Sequence, residues 1–223
     1  MVIMQFTELT LETVAEPATG AVEFVFLPKR PLRFRAGQAG LIIVPGGGAK
    51  LFTFSSDNRT PHISIATMLR SGSKFKRALA ALSPGDRVHA IGAIGNLPSP
   101  DPAEFQVFVA QGIGITPFLS IARSHDSVNA MLLQVGTPHF FDEVAATTSA
   151  AEHYDHREGL QEAMLRMIAD RPLARWFLSG RSNFVNAVAT QLTKAGISNR
   201  KIHKDAFWSM TPSASHEEDL VHA

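Results

Sequence analysis

Residues 105–117, FQVFVAQGIGITP, run from an apolar stretch into a glycine turn and then a proline-led helical stretch, an arrangement in which backbone can hold a phosphate. Residues 107–110 suit a parallel strand covered on both faces. Gly112 and Gly114 let backbone approach a phosphate with no Cβ in the way. Pro117 fits a first helical turn, where its missing N–H would have no intrahelical partner, and a phosphate would sit at the positive helix end. The pattern is not the full dinucleotide fingerprint: proline stands where the third glycine is expected, and no acidic residue closes a second strand about 20 residues on. A purely structural strand-to-helix turn is the alternative, since glycine punctuates such connections anyway. A second group is basic: Arg70, Lys74, Lys76 and Arg77 crowd one short stretch. It reads either as a solvated face or as a clamp for a diphosphate.

The elements that must position these groups fall into two series. Residues 21–27, 39–45, 51–55, 62–68 and 87–91 are short, partly alternating runs separated by turn residues, and they predict antiparallel β structure. Only residues 74–82, KFKRALAAL, have helical spacing there, so a small barrel with one helix accounts for the order. Residues 97–104, LPSPDPAE, cannot continue a strand and read as a linker between units at 1–100 and 104–210. Strands are then expected at 106–110, 130–135, 176–179 and 201–203, with helices at 117–124, 142–152, 159–169 and 184–195 and Gly196 as a helix stop. That alternation predicts a parallel sheet covered by helices. Ligands gather at the carboxyl ends of such strands, where Gly112, Gly136 and Gly180 fall. Residues 211–223 read as a polar, mobile tail.

Composition bounds the chemistry. At 223 residues and 45% hydrophobic content the chain can bury two cores. The absence of cysteine excludes disulfides, thiolate metal sites, a cysteine-held iron–sulfur cluster and a cysteine nucleophile, so redox chemistry needs a borrowed cofactor. With 21 basic against 20 acidic residues, no dedicated nucleic-acid binder is expected. The basic excess lies in the first half, where residues 1–103 carry 11 Lys and Arg against 7 Asp and Glu. No apolar run reaches membrane-spanning length, and the first residues lack the basic start and cleavage site of a secretion signal, so a cytoplasmic location is expected. His153 and His156, near Glu152 and Asp155, find no third and fourth metal ligand, and the segment AEHYDHREG reads as a solvated connection. No Gly-x-Ser-x-Gly elbow supports hydrolysis.

The order of motifs from about Phe34 to Phe207 resembles the ferredoxin-NADP reductase superfamily, in particular its compact flavin-dependent members. The resemblance implies an N-terminal antiparallel Greek-key FAD-binding β-barrel followed by a parallel-sheet, Rossmann-like NAD(P)-binding α/β domain. Lys50-Leu51-Phe52-Thr53-Phe54-Ser55-Ser56 is similar to the family's flavin motif. By that likeness Phe52 stacks on the isoalloxazine, Thr53 sets its hydroxyl near flavin N5, Ser55 and Ser56 line the flavin, and Lys50 meets the diphosphate as a point charge. Thr67-Met68-Leu69-Arg70 with Ser73-Lys74-Phe75-Lys76 resembles the diphosphate loop, Lys76 standing where many relatives have serine. Residues 82–97, LSPGDRVHAIGAIGNL, resemble the family's barrel-closing turn, with Ala93 and Leu97 in place of proline and an aromatic residue.

On the nicotinamide side, Gly112-Ile113-Gly114-Ile115-Thr116-Pro117 matches the pyrophosphate loop, with Thr116 able to offer a hydroxyl. After the second strand stands Gly136-Thr137 rather than a Ser-Asn-Arg stretch, so no arginine there awaits a 2′-phosphate. Ser179-Gly180-Arg181 takes the place of Cys-Gly-Pro, serine filling the cysteine's volume near the nicotinamide and Arg181 offering a phosphate contact. Asp205-Ala206-Phe207-Trp208 resembles the family's acidic-x-aromatic close, with Phe207 or Trp208 over the flavin and Asp205 bonded to a neighbouring hydroxyl; packing between domains is the other reading of the aromatic pair. The resemblance implies hydride transfer from NADH or NADPH to FAD, with Thr53, Ser179 and Asp205 at the reacting centre, and onward transfer to a separate acceptor. That acceptor is a ferredoxin-like or haem protein, ferric iron or a quinone, and the basic stretch suits an acidic carrier. A flavin-binding regulatory subunit with a decayed nicotinamide site, and an FAD-free nucleotide module, remain as alternatives.

Overall fold

The computed structural model describes residues 5–16, 20–95 and 97–207. The first half supplies strands β1 (Gln5–Ala15), β2 (Val22–Pro28), β3 (Ala39–Val44), β4 (Gly48–Thr53), β5 (Ile63–Thr67) and β6 (Arg87–Ile94), with helix α1 (Lys74–Ala80) before β6. They form one antiparallel sheet in the order β4-β3-β6-β1-β2-β5. The sheet curls until its edges meet just past β4, where Phe54 bridges Ile65. Alternation gives the curled sheet its buried inner face. Leu9, Leu11, Phe24, Phe26, Ile42 and Val88 point inward and are inaccessible or nearly so, as the two-residue period of a one-sided strand requires.

The second half supplies β7 (Gln106–Gln111), a 3-10 turn (Gly112–Ile115) leading into α2 (Thr116–Ser124), β8 (Val128–Val135), α3 (Phe141–Ala145), β9 (Thr148–Tyr154), α4 (Arg157–Asp170), β10 (Arg175–Arg181), α5 (Ser182–Lys194) and β11 (Ile202–Phe207). These strands form a parallel sheet in the order β11-β10-β7-β8-β9. Its central strand is buried on both faces: Val107 and Val109 pack in the cluster that holds α4 and α5, Phe108 and Ala110 in the cluster that holds α2. Phe108 and Phe118 stack at 4.6 Å on the α2 side. Leu97, at the start of the connection between the sheets, is buried in that same cluster.

The expected helix at 142–152 is corrected. α3 stops at Ala145, and residues 148–154 form the edge strand β9 rather than the second half of a helix and a solvated connection. The physical reason lies in three successive hydroxyl residues. Thr147 Oγ1 bonds Val144 O at 3.0 Å and Thr148 Oγ1 bonds Ala145 O at 3.2 Å, closing the helix with side-chain bonds that compete with its own ladder. The last strand also runs further than 201–203, from Ile202 to Phe207, and Lys201 belongs to a preceding 3-10 turn (Asn199–Lys201).

Candidate active site

Strand ends from both sheets meet in one polar cluster. Thr53 ends β4, Ser179 lies near the end of β10, and Asp205 stands opposite Ser179 in the β10–β11 register. Asp205 Oδ2 accepts from Thr53 Oγ1 at 3.3 Å and from Ser179 Oγ at 3.4 Å. Thr53 and Ser179 are buried. Burial pushes the Asp205 carboxyl above the usual carboxylate range, and the two hydroxyl bonds offset only part of that. Two of the three residues expected at a reacting centre thus donate to one carboxylate oxygen of the third, although 126 positions separate Thr53 from Ser179 in sequence.

The glycine turn is locked to this cluster. A Cβ on Gly114 would lie 2.7 Å from Ser179 O and 2.8 Å from Gly180 Cα, so β10 already occupies the space that the missing side chain leaves. Gly112 has φ +51° and open space around it, which is a conformational demand rather than a steric one. Ile115, Thr116 and Pro117 are buried where the turn enters α2. Gly136 and Gly180 lie at the ends of β8 and β10, and Arg181 is exposed at the head of α5.

Around α1, Ser73 caps the helix by accepting from Lys76 N at 3.3 Å. Lys50 and Lys74 are exposed, Met68 and Leu69 half-buried, Thr67 and Phe75 buried. Lys76 is not the exposed lysine of an amphipathic helix: only 7% of it is accessible. Its ammonium donates to Thr67 Oγ1 and to Met68 O, the latter at 2.6 Å, and lies 5.7 Å from the Phe52 ring centroid. Among the described residues it has no carboxylate partner, and burial, then the charge of Lys50, lowers its pKa to about 8. Phe52 itself packs into the core against Phe75, with 9% of its surface accessible.

Ser55 and Ser56 have protein partners between the sheets. Ser55 Oγ donates to Glu23 Oε1 at 2.7 Å, Ser56 Oγ accepts from Ser64 N at 3.1 Å, and Ser56 O accepts from Ser120 Oγ at 2.8 Å. Sequence reasoning missed the hub of this contact. Arg123, at the end of α2, bonds both oxygens of Glu23, at 2.5 and 3.2 Å, both oxygens of Glu143, at 2.7 and 3.1 Å, and Ser55 O at 3.1 Å. Nothing in the sequence pairs Glu23 with a residue 100 positions away. Also missed was a cleft of about 340 Å³ at the carboxyl ends of β7, β8 and β9, lined by Gln111, Val135, Gly136, Asp155, His156, Arg157 and Glu158. Its signal was hidden in AEHYDHREG once that segment read as a connection. Phe207 closes β11, paired with Arg181 along the backbone; Trp208 and the expected tail lie outside the described residues.

The fold, a curled antiparallel sheet joined to a five-stranded parallel one, is shared with solved structures of several reductases. The cytochrome P450 reductase GcoB of Amycolatopsis superposes with a TM-score of 0.73 at 22% identity, over 92% of this chain and 70% of that one. A ferredoxin NADP+ reductase from Neisseria gonorrhoeae, solved with bound FAD and NADP, gives 0.74 at 20% identity, over 90% and 98%. Phthalate dioxygenase reductase gives 0.75 at 22% identity, over 94% and 70%. Among curated proteins, the reductase subunit of an aromatic O-demethylase from Amycolatopsis sp. is 29% identical over 102 residues, 42% of this chain and 30% of that protein. The chain thus matches less than a third of that relative's length. No family model matches the chain.

Proposed function

We propose that this protein is an FAD-dependent NAD(P)H oxidoreductase that passes electrons to a separate acceptor. The observation that carries the reading is the Thr53–Ser179–Asp205 cluster, which joins the end of β4 in one sheet to β10 and β11 in the other, beside the glycine turn that packs on Ser179. The residues present suit the two cofactors. Lys76 is a buried cation with only neutral partners, which calls for an anion such as a diphosphate, and Lys50 stands near enough to share it. When bound, FAD would supply the hydride acceptor and the store from which electrons leave. The chain's own groups would bind, orient and exclude water. Asp205 Oδ2, holding both hydroxyls, fixes where the Thr53 and Ser179 oxygens point, and the burial of that group keeps water from competing for them.

The cleft at Asp155–Glu158 suits the adenosine half of the donor, as expected of the carboxyl ends of parallel strands. Asp155 and Glu158 contribute two carboxylates there against one guanidinium, and Arg157 lies 5.7 Å from the Phe184 ring centroid. A 2′-phosphate would bring more negative charge to that lining, so NADH is the favoured donor. The acceptor is a carrier protein, haem protein, ferric iron or quinone, and the basic stretch around Arg70 and Arg77 suits an acidic carrier. No helix among the described residues is long and apolar enough to cross a membrane.

Anaerobic mixing of the FAD-loaded protein with each donor tests the reading. Flavin absorbance should bleach with NADH at least about tenfold faster than with NADPH at equal concentration, a difference of about 1.4 kcal/mol. Bound FAD that neither donor bleaches would leave a flavin-binding subunit without reductase activity. A narrower expectation concerns Thr53→Ala, which should slow bleaching by about 10-fold to 100-fold, the size of one lost positioning bond, while FAD content stays near normal. An unchanged rate in that variant removes Thr53 from the reacting centre.

A further inference from the structure

Resting on the reductase reading, we propose that Gln134 is a positioning residue for the nicotinamide nucleotide: it ties the turn after β7 to the turn after β8 and draws their carbonyl oxygens away from the phosphates. Gln134 lies on β8 and has no accessible surface. Its Nε2 donates to Gly112 O at 3.0 Å and to His139 O at 3.1 Å, with a longer contact to Thr137 O at 3.5 Å. All three partners are carbonyl oxygens, so the amide's orientation follows from its contacts. The opposite amide atom, Oε1, is buried with no hydrogen-bond partner among the described residues. A buried polar atom left unmatched is costly, and here it accompanies an amide held in the one orientation that serves both turns.

The neighbouring strand repeats the device. His153 stands opposite Gln134 in the β8–β9 register, and its Nε2 lies 2.5 Å from Gly136 O, a contact that requires the hydrogen on Nε2. Two side chains at one level of the sheet therefore hold carbonyls of Gly112, Gly136 and His139. The chemical effect concerns sign. A carbonyl oxygen turned toward a pyrophosphate repels it, whereas the leading N–H groups of the 3-10 turn that runs into α2 have no intrahelical partner and attract it. Fixing the Gly112 carbonyl inward keeps the turn in the second state before any ligand arrives, so less ordering is needed on binding.

The test is Gln134→Met, which keeps the length and removes the donors. Calorimetry with ADP-ribose, a probe that binds without redox chemistry, should give about a tenfold weaker Kd, the scale of one or two lost hydrogen bonds. KM for NADH should rise by a similar factor while kcat changes less than about threefold, a split that general loosening of the fold would not produce. Amide exchange at residues 112–116 and 136–139 should quicken, and FAD content should not fall. Wild-type affinity for ADP-ribose in the variant overturns the proposal while leaving the reductase reading intact. Wild-type protein that binds neither ADP-ribose nor NADH overturns the reductase reading and the proposal with it. Should Gln134→Met not fold, His153→Phe on the edge strand carries the same measurement, with about a threefold loss expected and no loss overturning the idea.

Discussion

Arg123→Met is expected to destabilise the protein by about 3 kcal/mol at pH 8, at the lower end of what breaking a buried ion pair costs, and to lower Tm by roughly 6–12 °C for a chain of this size. Arg123 keeps 23% of its side chain accessible and Glu23 only 9%, so the carboxylate suffers most. Burial alone would push the Glu23 carboxyl up, but the bonds and charge of Arg123, with Ser55 and Ser64, more than offset it and hold the group below its ordinary value. The sign for pH follows. A carboxyl whose folded pKa is depressed adds stability above its unfolded pKa of about 4.5, and that contribution disappears as pH falls through the folded value. With Arg123 gone, burial dominates, Glu23 takes up a proton on acidification, and the penalty shrinks toward pH 5. Denaturant titrations at pH 8 and pH 5 check this. A deficit below about 1 kcal/mol, or one equal at both pH values, would refute it. Glu23→Gln combined with Arg123→Met should recover part of the loss, because no charge is then stranded.

The second large effect is on flavin affinity. In the free protein Lys76 is half neutral at about pH 8, and an anion binds the ammonium form. On the proposed function, FAD affinity should therefore be level below that pH and weaken by about tenfold per unit above it, until the bound form's own higher pKa is reached. Binding should take up a proton in that window. The protein's stability without FAD runs the other way: burying a charged lysine is unfavourable, and that cost is relieved as pH rises from 8 toward the unfolded value of 10.5. FAD fluorescence titrations at pH 7 and pH 9 measure the first trend. Lys76→Met should bind FAD at least about tenfold more weakly at pH 7, as expected for a lost charge-assisted contact, and should flatten the pH profile. A wild-type affinity equal at both pH values would mean that Lys76 does not meet the diphosphate.

The β7–turn–α2 unit was legible in the sequence because its signals are local: an apolar run, two glycines and a proline within 13 residues, 105–117. The antiparallel half was legible for the same reason, through alternation and turn residues. Thr53, Ser179 and Asp205 could be assembled beforehand only by resemblance, since no periodicity links positions on three strands. Strand β9 was hidden because Ala150, Ala151 and Glu152 favour helix, while pairing to β8 decides the outcome. Gln134 sits within a run that otherwise reads as apolar strand, Ala130 to Val135, and Glu23 is a charge in a buried strand whose partner only the folded chain brings near. Such residues are decided by tertiary partners, which sequence windows do not contain.

The contact between Gly114 and β10 has a consequence for how this protein can change over generations. The glycine turn and the strand that carries Ser179 share a wall with no room for another atom, since a Cβ at position 114 would fall 2.7 Å from Ser179 O. Any substitution there forces the turn and β10 apart, and β10 carries Ser179, which is bonded through Asp205 to Thr53. On the proposed function, a side chain at position 114 cannot alter donor preference without pressing on the reacting centre, and variation is steered outward to the cleft at Asp155–Glu158, which no β10 residue lines.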